Sequence, residues 1–271
     1  MSNTLVVGPY IGEFGYELFK WQGYVRTQAK LYDKVIVSSR PGHAVIYKDF
    51  AQNYISYTTP VSACAGIANT IEESDIYEVA SQVFKGIPYN RIIVPFKLEP
   101  NTPQEYTPYG HNNNNYVPYD IVIHARNITV NSGNMRTKDR TLKESRNWSY
   151  ANWWHFITYI NQRSKLRICC IGHPDAALYL DNTDDKRNIE LAELADLLAN
   201  AKVIVGPSSG PMHFATLCRC PQVVWGTPNL LKRYQTEWNP LGTPVEFIST
   251  DEHWNPDPTY VAELTIRTIS L

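Results

Sequence analysis

The stretch from Asn188 to Gly226, NIELAELADLLANAKVIVGPSSGPMHFATLCRCPQVVWG, reads as helix, strand, glycine-rich turn, helix and strand without a gap. Val203-Ile204-Val205 is an apolar run of strand length, Gly206-Pro207-Ser208-Ser209-Gly210-Pro211 interrupts it, and Met212 to Cys218 resumes as a helix. That puts Ser208, Ser209 and Gly210 at a helix N-terminus, where unpaired backbone N–H groups and the positive end of the helix dipole attract phosphate. Pro211, near the first turn, gives up an N–H that has no intrahelical partner anyway. Gly210 leaves room for close approach of a ligand to the backbone, and His213 is expected to add a donor to the same oxygens. From pattern alone, the competing reading is an ordinary strand-to-helix turn with a serine cap.

The string SSGPMHFATLCRCPQVVWG resembles the D-S-G-P-M-H-x-A-x-x-x-x-x-P-x-x-x-x-x-G signature of the heptosyltransferase-like glycosyltransferases, family 9. In that family the signature follows a helix of the type L-x-E-L-A-x-L-x-x-x-A and a short apolar strand, as Leu191 to Val205 do here. The Asp of the signature is Ser208 in this chain, so a carboxylate that helps hold the sugar or phosphate is missing. The resemblance is clearest over residues 120–226. It implies an α/β fold of two facing Rossmann-like domains, the GT-B arrangement, and transfer of a sugar from a nucleotide-diphospho-sugar without a metal. The opening GPYIGEFGYELFKWQGY also resembles the start of a set of small glycosyltransferase-like proteins that carry G-E-F-G-x-E-L.

Composition agrees with a soluble globular chain of two modest domains: 271 residues, 43% hydrophobic and 19% charged. A formal net charge of −1 argues against a protein held to nucleic acid mainly by neutralising phosphates. Basic residues nevertheless gather at Arg126, Arg136, Lys138, Arg140, Lys143 and Arg146, as a solvated loop or an anion-facing one. The five cysteines form neither a zinc-ligand spacing nor a paired framework and read as buried thiols. No signal core and no run of membrane-spanning length is present, so a cytoplasmic location is expected.

Outward from the central stretch, strand and helix patterns alternate, which predicts parallel sheets. TLVVG opens a strand that leads through a glycine turn into a helix with Leu18, Trp21, Tyr24 and Val25 at helical spacing. Lys34 to Ser39 and Arg91 to Phe96 read as strands, with a helix from Tyr77 to Lys85 between them. Composition shifts to Pro, Asn, Gln and Tyr from about Leu98 to Tyr119. The expected division is an acceptor domain over 1–110, a linker over 111–119 and a nucleotide-sugar domain over 120–271, whose last helix could pack back across the boundary. In the second half, strands are expected at Asp120 to Arg126, Leu166 to Ile171 and Val245 to Ser249, and helices at Tyr150 to Arg163 and Thr259 to Ser270.

In open α/β sheets ligands collect beyond the carboxyl ends of the strands, which singles out four polar loops: Gly8 to Tyr16, Arg126 to Arg146, Gly172 to Ala176 and Gly206 to His213. Glycosyl transfer needs a base for the acceptor hydroxyl and groups that stabilise the departing diphosphate. Glu13, just after Gly12 in the first βα loop, is the candidate base, and the resemblance implies the same, since that family assigns the role to an acidic residue in this N-terminal loop. Glu17, one turn later, is its competitor, or a partner that raises its pKa. On the donor side SRNWSYANWW is similar to the family's basic-residue-x-Trp element, which implies a diphosphate contact by Arg146. Arg126 is a second phosphate candidate, and the resemblance implies that Asp175 faces the donor ribose. Trp148 and Trp153 read as core, His124 and His155 as structural, and His173 as a loop residue.

The expected function is a metal-independent, inverting glycosyltransferase that needs no cofactor beyond its donor and acts on a glycan or small-molecule acceptor. Transfer to hydroxymethylated bases of DNA, nucleotide-sugar epimerisation and non-catalytic nucleotide-sugar binding are the alternatives.

Overall fold

In a computed structural model, residues 3–58, 73–96, 98, 101–111, 119–128, 146–251 and 253–270 are described. The chain divides into two compact units, Met1–Thr107 and Pro108–Leu271. Residues 112–118 of the expected linker lie outside the described residues, as do Arg136, Lys138, Arg140 and Lys143 of the basic cluster.

The first unit holds β1 (Thr4–Val7), β2 (Lys34–Ser39), β3 (Asn53–Ser56) and β4 (Arg91–Ile93), all parallel, in the order β3-β2-β1-β4. Every residue of β1 is buried, the pattern of a strand covered on both faces. After β1 the chain runs through α1 (Phe14–Tyr16), a π-turn (Glu17–Trp21) and α2 (Gln22–Ala29) as one continuous helical segment. Helix α3 (Glu73–Val83) packs Ile76 and Ala80, with Phe84 just after it, against Val6, Ile36 and Val94.

The second unit runs β5 (Ile121–Ile123), α4 (Tyr150–Arg163), β6 (Ile168–Cys170), β7 (Asp184–Asp185), α5 (Leu191–Asn200), β8 (Val203–Pro207), α6 (Gly210–Leu217), β9 (Gln222–Gly226), β10 (Val245–Ser249) and α7 (Pro258–Ile269). Its six strands are parallel and ordered β10-β9-β8-β5-β6-β7. Counted within the unit this is 6-5-4-1-2-3, the doubly wound Rossmann order, with its switch point between β5 and β8.

Helix α4 starts where Ser149 accepts the Asn152 N–H at 3.1 Å, and α7 where Asp257 accepts that of Tyr260 at 2.9 Å with Pro258 in the first turn. Both helices cover one face of the sheet, over a core in which Trp148 lies 4.7 Å from Trp153 and 4.9 Å from Trp225, ring centre to ring centre. The reading of Trp148 and Trp153 as core residues holds. Cys169, Cys170, Cys218 and Cys220 are buried free thiols.

Candidate functional site

At the switch point of the second unit the ends of β5 and β8 lie side by side, joined where the His124 N–H donates to the Val205 carbonyl at 3.0 Å. Gly206 makes this approach possible, since a Cβ there would stand 2.9 Å from the His124 carbonyl oxygen. Gly172, with φ +120°, closes the other side: a Cβ would meet the Ala177 Cβ at 2.7 Å and His124 Cδ2 at 3.1 Å. Two glycines thus give His124 a fitted socket.

Strand β8 continues through Gly206 and Pro207, which pair with Val224 and Trp225 of β9. The Ser208 N–H extends that ladder by donating to the Trp225 carbonyl at 2.9 Å. This corrects the expectation for Ser208: its amide belongs to the sheet, its hydroxyl accepts from Tyr234 at 2.9 Å, and its carbonyl accepts from Arg146 Nη2. Helix α6 begins at Gly210 with no side-chain cap from Ser209, whose hydroxyl instead pairs with His124 Nδ1 at 2.8 Å. The anion-attracting turn is therefore the stretch from Ser209 to Met212, one residue later than the sequence suggests.

Two guanidinium groups flank this turn. Arg146 lies over the Trp254 ring at 4.4 Å while bonding the Ser208 carbonyl. Arg126, 4% exposed, donates to Asn147 Oδ1 at 2.5 Å, next in sequence to Arg146. The segment after β6 joins them: Asn127 N–H donates to the Ala176 carbonyl at 2.8 Å, and Arg126 bridges to Ala177. Asp175 thereby stands near the same strand ends with its carboxylate in solvent, 3.6 Å from His173. Arg126, Arg146, Asp175, Ser209 and Gly210 are brought together as the βα-loop rule requires.

His213 departs from expectation. It is buried, stacked on Tyr234 at 4.9 Å and edge-on to Trp238 at 4.7 Å, so it wedges the start of α6 rather than presenting a donor to solvent. Burial, with Arg233 and Arg146 nearby, holds its pKa well below the usual imidazole value. His124 was read as structural, yet it touches Ser209 at the head of the turn. Burial and the charges of Arg126 and Arg146 lower its pKa from 6.5 to about 3. Both rings are neutral near pH 7, and the positive charge of the site rests on the arginines.

Stability should therefore depend on acid. Between the folded value for His124 of about 3 and its ordinary 6.5, the unfolded chain binds a proton that the native chain refuses. The contribution is fully present above 6.5 and is lost as pH falls through that window, at about 1.4 kcal/mol per pH unit for each such histidine. The urea midpoint is expected to drop between about pH 7 and about pH 5, and His124→Gln to shallow the drop. A midpoint level across that range in the unaltered chain would contradict the neutral, buried assignment.

In the first unit the loop from Gly8 to Glu13 crosses the end of β1. Tyr10 N–H donates to the Ser38 carbonyl at 3.0 Å, Tyr10 Oη to the Glu13 carbonyl at 3.0 Å, and Arg40 to the carbonyls of Ile11 and Gly12. This fixes Glu13, whose side chain is exposed, at the head of α1. Glu17 is the opposite case and corrects its reading as a competing base. It is 0% exposed, and its carboxylate bonds Ser39 Oγ at 2.5 Å, Tyr47 Oη at 2.8 Å and His43 Nδ1 at 2.7 Å. Burial pushes its pKa up, but the electrostatic attraction of the His43 ring and the bonds from His43, Ser39 and Tyr47 outweigh it and hold the carboxyl below its usual range.

Among the described residues no group of three or more His, Cys, Asp or Glu side chains is set to hold a metal, and no helix is long and apolar enough to cross a membrane.

Two parallel Rossmann-like sheets, each with polar loops beyond the carboxyl ends of its strands, make this an α/β chain of the GT-B class. Its fold is that of solved family 9 glycosyltransferases. It is similar to a family 9 glycosyl transferase from Veillonella parvula, with a TM-score of 0.63 at 9% identity over 99% of this chain and 97% of that one. It is also similar to the ADP-heptose lipopolysaccharide heptosyltransferase II of E. coli (TM-score 0.59, 13% identity, 99% and 98% covered) and to E. coli heptosyltransferase WaaC with ADP (0.57, 12%, 98% and 99%). No family model and no curated protein matches the sequence itself.

Proposed function

We propose that this chain is a glycosyltransferase that moves a sugar from a nucleotide-diphospho-sugar to an acceptor hydroxyl, with donor bound by the second unit and acceptor by the first. The observation that carries the reading is the convergence of Arg126, Arg146 and the uncapped start of α6 at the switch point between β5 and β8. The WaaC structure contains ADP, a nucleoside diphosphate of the kind such a site would release.

In the proposed reaction the bond from the anomeric carbon to the diphosphate breaks, and its electron pair leaves with the nucleoside diphosphate. Arg126, Arg146 and the Ser209 to Met212 turn offset the charge that builds on those oxygens, so the protein itself meets the electrostatic demand without a metal. Neutral His124 orients Ser209 toward the same oxygens, and Asp175 accepts from the ribose hydroxyls. The acceptor oxygen attacks the opposite face of the anomeric carbon, inverting it, while a base of the first unit takes the acceptor proton. Glu13, exposed at the head of α1, contacts that acceptor in this reading. Buried free thiols suit a reducing cytoplasm, where we place the reaction.

Thermal melts against a panel of nucleoside diphosphates and nucleotide sugars test this directly. A ligand at about a hundred times its Kd stabilises the native chain by about 2.7 kcal/mol, so a rise of several degrees is expected for one base and not for the others. No shift with any member of the panel would remove the donor site.

A further inference from the structure

Glu17 and the three side chains that bond it form a polar cluster that donor binding does not use. His43 opens the short 3-10 turn His43–Ile46, set by Gly42 at φ +81°, just past the end of β2. Its Nδ1 lies 2.7 Å from Glu17 Oε2, while Ser39 and Tyr47 donate to Oε1. An ionised carboxylate only accepts, so Nδ1 must carry the hydrogen, and in the neutral ring the lone pair is then on Nε2. Nε2 makes no hydrogen bond among the described residues and is not closed off; the side chain is 16% exposed. The ring stands edge-on to Phe14 at 5.2 Å, beside Glu13 at the mouth of the first βα loop. A buried carboxylate thus fixes the tautomer of an imidazole that sits in the loop after β2, at the carboxyl end of the first sheet, with its other nitrogen left open.

We propose, resting on the transferase reading above, that His43 is the base of the reaction and Glu17 its positioning residue. His43 Nε2 takes the proton from the acceptor hydroxyl as the acceptor oxygen bonds the anomeric carbon and the carbon–diphosphate bond breaks. The imidazolium so formed is stabilised by the Glu17 carboxylate and returns its proton to water once product leaves. Glu13, exposed and unsupported by any comparable network, binds acceptor hydroxyls instead of removing their proton.

The test uses the full chain, with H43Q, E17Q and E13Q compared at saturating donor. H43Q is expected to lower kcat at least about a hundredfold while leaving the donor-induced thermal shift unchanged, and added imidazole to restore part of the rate in H43A. E17Q is expected to lower kcat by a smaller factor, with donor KM preserved. Independent of turnover, 15N spectra of the histidine-labelled unaltered chain should show His43 as the Nδ1–H tautomer. H43Q within threefold of the unaltered kcat, or an Nε2–H tautomer, overturns the assignment while leaving the transferase reading intact. An unaltered chain that neither binds nor turns over a nucleotide sugar overturns the transferase reading, and the assignment with it.

Discussion

Arg146→Ala is expected to lower kcat/KM for the nucleotide sugar by two to three orders of magnitude, about what removing one preorganised donor at a developing anion costs. The guanidinium is held from two directions, by the Ser208 carbonyl and by the face of Trp254. Little orientational freedom is left to lose when a diphosphate arrives, which is why this side chain should matter more in the transition state than an equally charged group on a free loop. Arg146→Lys keeps the charge but loses both the planar fork and the ring stacking, so its effect should be intermediate, about tenfold to a hundredfold. Trp254→Ala leaves the arginine in place but unsupported on one side, and should cost less than removing Arg146. Initial rates together with calorimetric titration of the nucleoside diphosphate separate the cases. The ordering Ala worse than Lys, and Lys worse than the Trp254 variant on binding, is the expected result. An Arg146→Ala chain that binds the diphosphate as tightly as the unaltered one would remove Arg146 from the donor site.

The alternation of strands and helices was legible because parallel strands buried on both faces must be apolar throughout, and β2 falls where its apolar run places it; β10, a partly buried edge strand, also keeps its expected bounds. Helix α4 matches its expected bounds because a serine cap and the apolar spacing agree. Where local chemistry and pairing compete, pairing decides. Gly206-Pro207 reads as a strand breaker, yet β9 supplies partners for both positions, and Pro207 at a strand end has no ladder N–H to give. The expected strand at Arg91 to Phe96 stops at Ile93, and helix α3 begins at Glu73 rather than Tyr77. The π-turn at Glu17–Trp21 has no sequence period of its own. In the site, Arg126, Arg146 and Ser209 could be found because they follow strands or sit in a recognisable motif. His124, Trp254 and the partners of Glu17 could not, because their roles come from residues far away in sequence: Ser209 is 85 positions from His124, and Tyr47 is 30 from Glu17.

The tryptophan cluster beneath the second sheet should carry a large share of that unit's stability, and Trp148→Ala is expected to cost about 3–5 kcal/mol. Trp148 is 1% exposed, meets Trp153, Phe156 and Trp225, and donates Nε1–H to the Pro256 carbonyl at 3.2 Å. Truncation removes the ring contacts, opens a cavity in a close-packed core and leaves that carbonyl without its donor. For a unit of this size the loss corresponds to a fall in Tm of about 10 °C. A substitution that keeps an aromatic ring separates packing from hydrogen bonding. Trp148→Phe loses volume and the bond to Pro256, whereas Trp153→Phe loses volume alone, since Trp153 Nε1 is buried with no hydrogen-bond partner among the described residues. Trp153→Phe should therefore be the milder of the two, by about 1–2 kcal/mol. Pro256 lies two residues beyond Trp254, so Trp148→Phe should also loosen the segment that backs Arg146, raising the Kd for nucleoside diphosphate where Trp153→Phe does not. Urea midpoints and diphosphate titrations on the two phenylalanine variants check this together. Equal destabilisation with equal affinity would mean that the Trp148 hydrogen bond contributes nothing to either stability or the site.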